Sequence, residues 1–298
     1  MKERMKEFNK LILLGNGFDL AHGLKTKYLD FIEWYVDICL KNFYEHKVHE
    51  DDNVRLVHTL NHNHNNSAGY SASGSIFHKN NTIKDLYVKF INKFLARISH
   101  SFQQKKWVDI EQEFYNEFKR ISVKALGAGH QGSAIEELIK LNTELEQVSK
   151  LLKSYLLDNI HFSNQQLLNG FEYFFEELSD DDLIINFNYT NTINEYFTFG
   201  RSTQHLDKIV TIHGNVGDKN YPLVFGFGDE RDEMYQKIED LNDNRLLDHF
   251  KSFAYFRNQN YSRLLTFLDS GAFEVHTLGL SCGLSDRTLL SQIFEHDN

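Results

Sequence analysis

The sequence predicts an α/β fold of Rossmann-like type, a mostly parallel sheet with a large helical insertion after its first strand. Three observations predict it. Leu11-Ile12-Leu13-Leu14 is an unbroken apolar run that feeds straight into Gly15-Asn16-Gly17, as a strand covered on both faces does. Later predicted strands at 183–185, 209–212, 223–228 and 273–278 each close on polar residues or glycines, where the carboxyl edge of a parallel sheet presents ligand-facing groups. Between the first run and the rest, residues 27–178 carry mainly helical spacing.

Taken in order, the first strand ends in a turn whose glycines allow close backbone approach, followed by a helix start with free N–H groups. Gly15, Asn16, Gly17, Asp19 and His22 are therefore nucleotide-site candidates, with a ligand-free tight turn as the plain alternative. The spacing is not the dinucleotide pattern, since Leu20 stands where its third glycine belongs. Tyr28, Phe31, Ile32, Tyr35, Ile38 and Cys39 mark an amphipathic helix over 27–44. Residues 46–80 read as a flexible His/Asn/Ser-rich loop holding His46, His49, His58, His62, His64 and His78. A histidine cluster can bind a transition metal, but this background argues for a loop and no metal is assigned.

Helices are expected over 83–99 and from Trp107 to Ile121, where Asp109 and Glu113 lie one turn apart with Glu111 on another face, and all three read as solvated carboxylates. Gly127-Ala128-Gly129-His130-Gln131-Gly132 connects helices, and Ser133 with Glu136 is a capping pair for a long helix to about Leu157. Another helix is expected over 162–178. The second strand, 183–185, leads to Asn188, Tyr189 and Thr190; the third, 209–212, to His213; the fourth, 223–228, contains Gly226; the fifth, 273–278, leads to Ser281, Ser285 and Asp286. Asp286 also suits the N-cap of a helix from Arg287. Singly each of these has a structural explanation, but together they describe one ligand-facing edge.

Composition bounds the function. The 298 residues, 41% hydrophobic, suit one α/β domain over 1–298 with the insertion inside it. A net charge of −10 argues against general nucleic-acid or anionic-membrane binding. No apolar run reaches the ~20 residues of a membrane span and no secretion signal opens the chain, so a cytoplasmic protein is expected. Cys39 and Cys282 suit reduced thiols, with no disulfide and no metal motif between them.

The segment from Leu14 to Thr26, Gly-Asn-Gly-Phe-Asp-Leu-Ala-His-Gly in its core, resembles the opening signature of the AbiH family, linked to bacteriophage abortive infection. Asn186-Phe187-Asn188-Tyr189-Thr190, His213-Gly214, the segment around Asp109 and Glu111, and the turn from Gly279 to Asp286 are similar to its further motifs. Leu280 departs from the family's Gly-His-Ser turn. The resemblance implies a distant likeness to sirtuin-like nucleotide-binding domains of anti-phage NAD hydrolases. On that likeness NAD or a related nucleotide is substrate or ligand. Gly15, Gly17 and Asp19 would hold it, Asn188 would orient water, His213 would act as base, and Ser281, Ser285 and Asp286 would close the adenosine side. Sirtuin-type zinc cysteines are absent, so deacylation is not implied.

The leading expectation is an abortive-infection effector that hydrolyses the nicotinamide glycosidic bond of NAD. The alternatives are a non-catalytic nucleotide sensor and an oligomeric interaction module. The expected partners are a small-molecule nucleotide, a phage-derived trigger protein and a second copy of the chain. A nuclease comes last, for want of an acidic metal cluster with basic support.

Overall fold

The computed structural model describes residues 8–58, 86–105, 108–127, 131–161, 167–198, 206–218, 222–257 and 259–298. His62, His64, His78, Trp107, Gly129 and His130 lie outside them. In chain order the elements are β1 (Asn9–Leu14), α1 (Asn16–Ala21), α2 (Tyr28–His46), β2 (Val48–Glu50), β3 (Val54–His58), β4 (Leu86–Phe90), α3 (Lys93–Lys105), α4 (Ile110–Ala125) and α5 (Gln131–Asn159). They continue with α6 (Asn169–Glu176), β5 (Leu183–Asn186), α7 (Thr192–Thr198), β6 (Ile209–Thr211), α8 (Glu233–Glu239), α9 (Lys251–Tyr255), α10 (Asn260–Leu268), β7 (Phe273–Leu278) and α11 (Arg287–Phe294).

The chain divides into two compact units. One comprises 1–26, 156–233 and 249–298; the other comprises 27–155 and 234–248. In the first, four strands form a sheet in the order β6-β5-β1-β7. Every pairing in it is parallel, with Leu11 opposite Leu183 and Val275 across β1. Side chains alternate across a strand, and β1 uses both faces. Leu11 and Leu13 enter a core with Ile185, Val210, Leu264 and Leu289, while Ile12 and Leu14 enter another with Phe18, Phe175, Ile184 and Phe197. This two-sided burial is why the sequence shows a run and no alternation. Asp182 pins the start of the sheet, accepting from Lys10 N and Ser179 N at 2.7 Å each.

The expected strand at 223–228 does not form. Val224 and Phe227 are buried there, but the backbone spends its groups elsewhere: Val224 N on His213 O, Phe227 N on His249 O, and Gly228 N on Ser285 O. One isolated bridge, Phe227 to Phe250, is what remains of it. A short apolar run records burial, and burial alone does not distinguish a ladder from an extended loop.

The second unit corrects the reading of 27–178 as a helical block and of 46–58 as part of a loop; 59–80 lie outside the described residues. Strands β2, β3 and β4 make an antiparallel sheet, with Val54, Leu56 and Val88 at 0% exposure. The helix expected at 83–99 starts only after β4, where Asn92 Oδ1 accepts from Leu95 N at 2.7 Å. Asp109 is a cap and not a solvated face residue, accepting from Gln112 N. Ser133 is no cap, because α5 already begins at Gln131.

Candidate functional site

In the parallel sheet β5 and β6 run outward on one side of β1 and β7 lies on the other, so chain direction switches at the β1–β7 boundary. That boundary is where open α/β sheets ordinarily leave a crevice. Here two turns close it. Gly15 N donates to Leu278 O at 3.1 Å and Gly17 N to Gly279 O at 2.9 Å. A methyl on Gly15 would stand 2.5 Å from Leu280 Cα, and one on Gly279, whose φ is +71°, would stand 2.3 Å from Phe18 N. The glycines at 15 and 17 thus serve turn-against-turn packing, and their N–H groups are already engaged. Gly226 has the same duty, since a methyl there would meet His249 O.

Beside this closed turn the ends of β5 and β6 gather most of the remaining candidates. Asn188 Nδ2 donates to Gly15 O at 3.1 Å, joining two residues 173 positions apart. Thr190 Oγ1 donates to Asp19 Oδ2 at 2.6 Å. Asp19 is 1% exposed, and its Oδ1 has no hydrogen-bond partner among the described residues. Burial pushes its carboxyl up to about 6, against the hydroxyls of Thr190 and Thr192. Asn16 Oδ1 accepts from Thr26 Oγ1, and Tyr189 OH donates to Val224 O. His22 faces inward, its nitrogens on Phe18 O at 2.7 Å and Tyr196 OH at 2.6 Å and its ring stacked on Phe171. Burial holds its pKa below the ordinary imidazole value.

His213, at the end of β6, is 4% exposed. Its Nδ1 lies 3.0 Å from Phe187 O, and its Nε2 lies 2.9 Å from Asp286 Oδ1 and 3.2 Å from Tyr255 OH. Lys251 Nζ donates to the same Asp286 oxygen at 2.8 Å, from a side chain with 0% exposure. Asp286 therefore stands at the cap position of α11 without capping it. Burial pulls this carboxyl upward, but Lys251 and His213 outweigh burial and hold it well below the usual range. Burial and the Lys251 charge lower the pKa of His213, and Asp286 offsets only part of that. Two acceptors thus face a ring that burial keeps neutral, so one contact lacks its proton. Ser285 is buried with Oγ 3.5 Å from Asp286 Oδ2, whereas Ser281 is exposed and joins none of these contacts.

Lys251 and Tyr255 have no strand, glycine or motif beside them in the sequence, and nothing there marks them as partners of His213. The segments that do carry motifs decide the family: the model described as "Bacteriophage abortive infection AbiH" matches residues 11–298. The chain belongs to the AbiH family. No curated protein and no solved structure matches it. The AbiH match spans the Gly15 turn, Asn188, His213 and Asp286, and the description ties the family to abortive infection during phage attack. Among the described residues of this AbiH chain, no helix is long and apolar enough to cross a membrane.

Proposed function

We propose that this AbiH chain works in abortive infection as a nucleotide-binding module, taking an NAD-class nucleotide at the carboxyl edge of its parallel sheet. The observation that carries the reading is Asp19 Oδ1, a buried carboxylate oxygen without a hydrogen-bond partner among the described residues, next to the Thr190 and Asn188 loop. A ribose offers the adjacent hydroxyl donors that such an oxygen lacks. Asp19 is sealed, so binding is coupled to release of the Asn188–Gly15 contact, and ligand shifts the chain between a closed and an open edge. A phage-derived component that favours the open edge is the trigger this scheme calls for.

The His213–Asp286 contact favours a second reading, in which the opened edge hydrolyses the nicotinamide glycosidic bond. Asn188 then orients the attacking water, and His213 takes a ribose proton once its ring trades Asp286 or Phe187 for substrate. One experiment separates the two. Purified chain is incubated with NAD, NADP, ADP-ribose and ATP while melting temperature and nicotinamide release are followed together. The binding reading expects stabilisation by an NAD-class nucleotide, about 2.7 kcal/mol at a hundredfold excess over Kd, without product. Nicotinamide release that disappears in Asn188→Ala moves the conclusion to hydrolysis. No thermal shift with any of the four and no nicotinamide release together end both readings.

A further inference from the structure

The second unit holds a cluster of a different chemistry. Cys39 on α2, His49 on β2 and Asp51 in the turn before β3 place one sulfur, one imidazole nitrogen and one carboxylate oxygen within 4.8 Å of one another. These are the three ligand types that zinc takes, and tetrahedral bonds of ~2.0–2.3 Å put such atoms roughly 3.4–3.6 Å apart. Two of them already meet that spacing, with His49 Nε2 at 3.3 Å from Asp51 Oδ2. That distance is long for a charge-assisted hydrogen bond, which settles near ~2.8 Å, and natural for two ligands on one ion.

The groups around the three are arranged to leave those atoms facing inward. Asp51 Oδ1 accepts from the N–H groups of Asn53 and Val54 at 2.8 Å each, and Oδ2, which Tyr35 OH reaches at 2.9 Å, is the oxygen turned toward His49. Tyr35 OH donates to Asp51 and fixes its plane from α2. Asn42 Nδ2 lies 3.4 Å from His49 Nδ1. With the amide turned so that its oxygen faces the ring, it accepts the Nδ1 proton and leaves the Nε2 lone pair for a metal. Cys39 is fully buried, and burial pushes its thiol up to about 12. A divalent cation reverses that balance by replacing the thiol proton.

We propose that Cys39, His49 and Asp51 form a zinc site with water in the fourth position, clipping the β2–β3 hairpin to α2. It is independent of the sheet-edge reading, and it departs from the sequence-based expectation of no metal and no metal role for either cysteine.

The test uses the full chain, stripped by chelator and titrated with Co²⁺ as a spectroscopic stand-in for zinc. One cobalt per chain should bind with a thiolate-to-metal charge-transfer absorption, and Zn²⁺ should displace it. The band should vanish in Cys39→Ser and persist in Cys282→Ser. His49→Gln should weaken cobalt by more than tenfold, and Asn42→Ala by about tenfold, as outer-shell losses do. The proposal is overturned if the folded wild-type chain gives no thiolate band, if cobalt binds without one, or if Cys39→Ser keeps it. Should Cys39→Ser fail to fold, His49→Gln decides: unchanged cobalt affinity there overturns the site.

Discussion

Lys251 is the residue on which the sheet edge depends most heavily for its charge balance. Its ammonium is fully buried and donates to Asp286, which also faces His213. Removing one member of a buried pair strands the other charge in low dielectric, whereas replacing both by apolar groups is far milder. Lys251→Met should therefore destabilise the protein by about 3–5 kcal/mol in urea unfolding, and Lys251→Met with Asp286→Leu should recover most of the loss. A double variant as unstable as the single one would show that the pair contributes more than mutual neutralisation. The arrangement also explains why the sequence suggests only a cap at Asp286. An aspartate before a helix has an ordinary local use, and the partners that override it arrive 35 and 73 residues away in sequence.

At the scale of elements, legibility follows how much of an element's environment is local. β1 and its turn read directly, because a strand covered on both faces must be continuously apolar and because Gly15, Gly17 and Gly279 are needed where two turns touch. β3 and β4 did not read. Leu56 and Val88 alternate with Arg55, Val57, Tyr87 and Lys89 over only five residues per strand, and histidines and asparagines around them mimic a loop. The hairpin makes a clear claim that a loop would not. Leu56 has 0% exposure, so Leu56→Ala should cost about 2–5 kcal/mol by loss of packing and the cavity left behind. A loop position would change stability by less than ~0.5 kcal/mol. Thermal or denaturant unfolding of the variant distinguishes these outcomes.

At the scale of the whole molecule, the α/β class and the AbiH family were legible because their signals are long and distributed, running from residue 11 to 298. The state of the site was not, because closure of the β1–β7 boundary depends on two turns more than 260 positions apart, Gly17 and Gly279 being joined by one backbone hydrogen bond. The proposed use of that closed edge can be tested at Asp19, where it would conflict with stability. Its folded carboxyl sits near 6 against an ordinary 3.8. Between those values the folded chain holds a proton that the unfolded chain has released, so stability falls as pH rises through the interval. Above it the ionised group costs up to about 3 kcal/mol. Asp19→Asn removes the titration and keeps an acceptor for Thr190. Its melting temperature should therefore match wild type near pH 4 and exceed it at pH 7. If the carboxylate is retained to bind a nucleotide, the more stable variant should lose both the nucleotide-induced thermal shift and the protection of a phage-challenged culture. Protection that survives in a stabilised Asp19→Asn protein would mean the charge is not used, and the sheet edge would lose its claim to be the site.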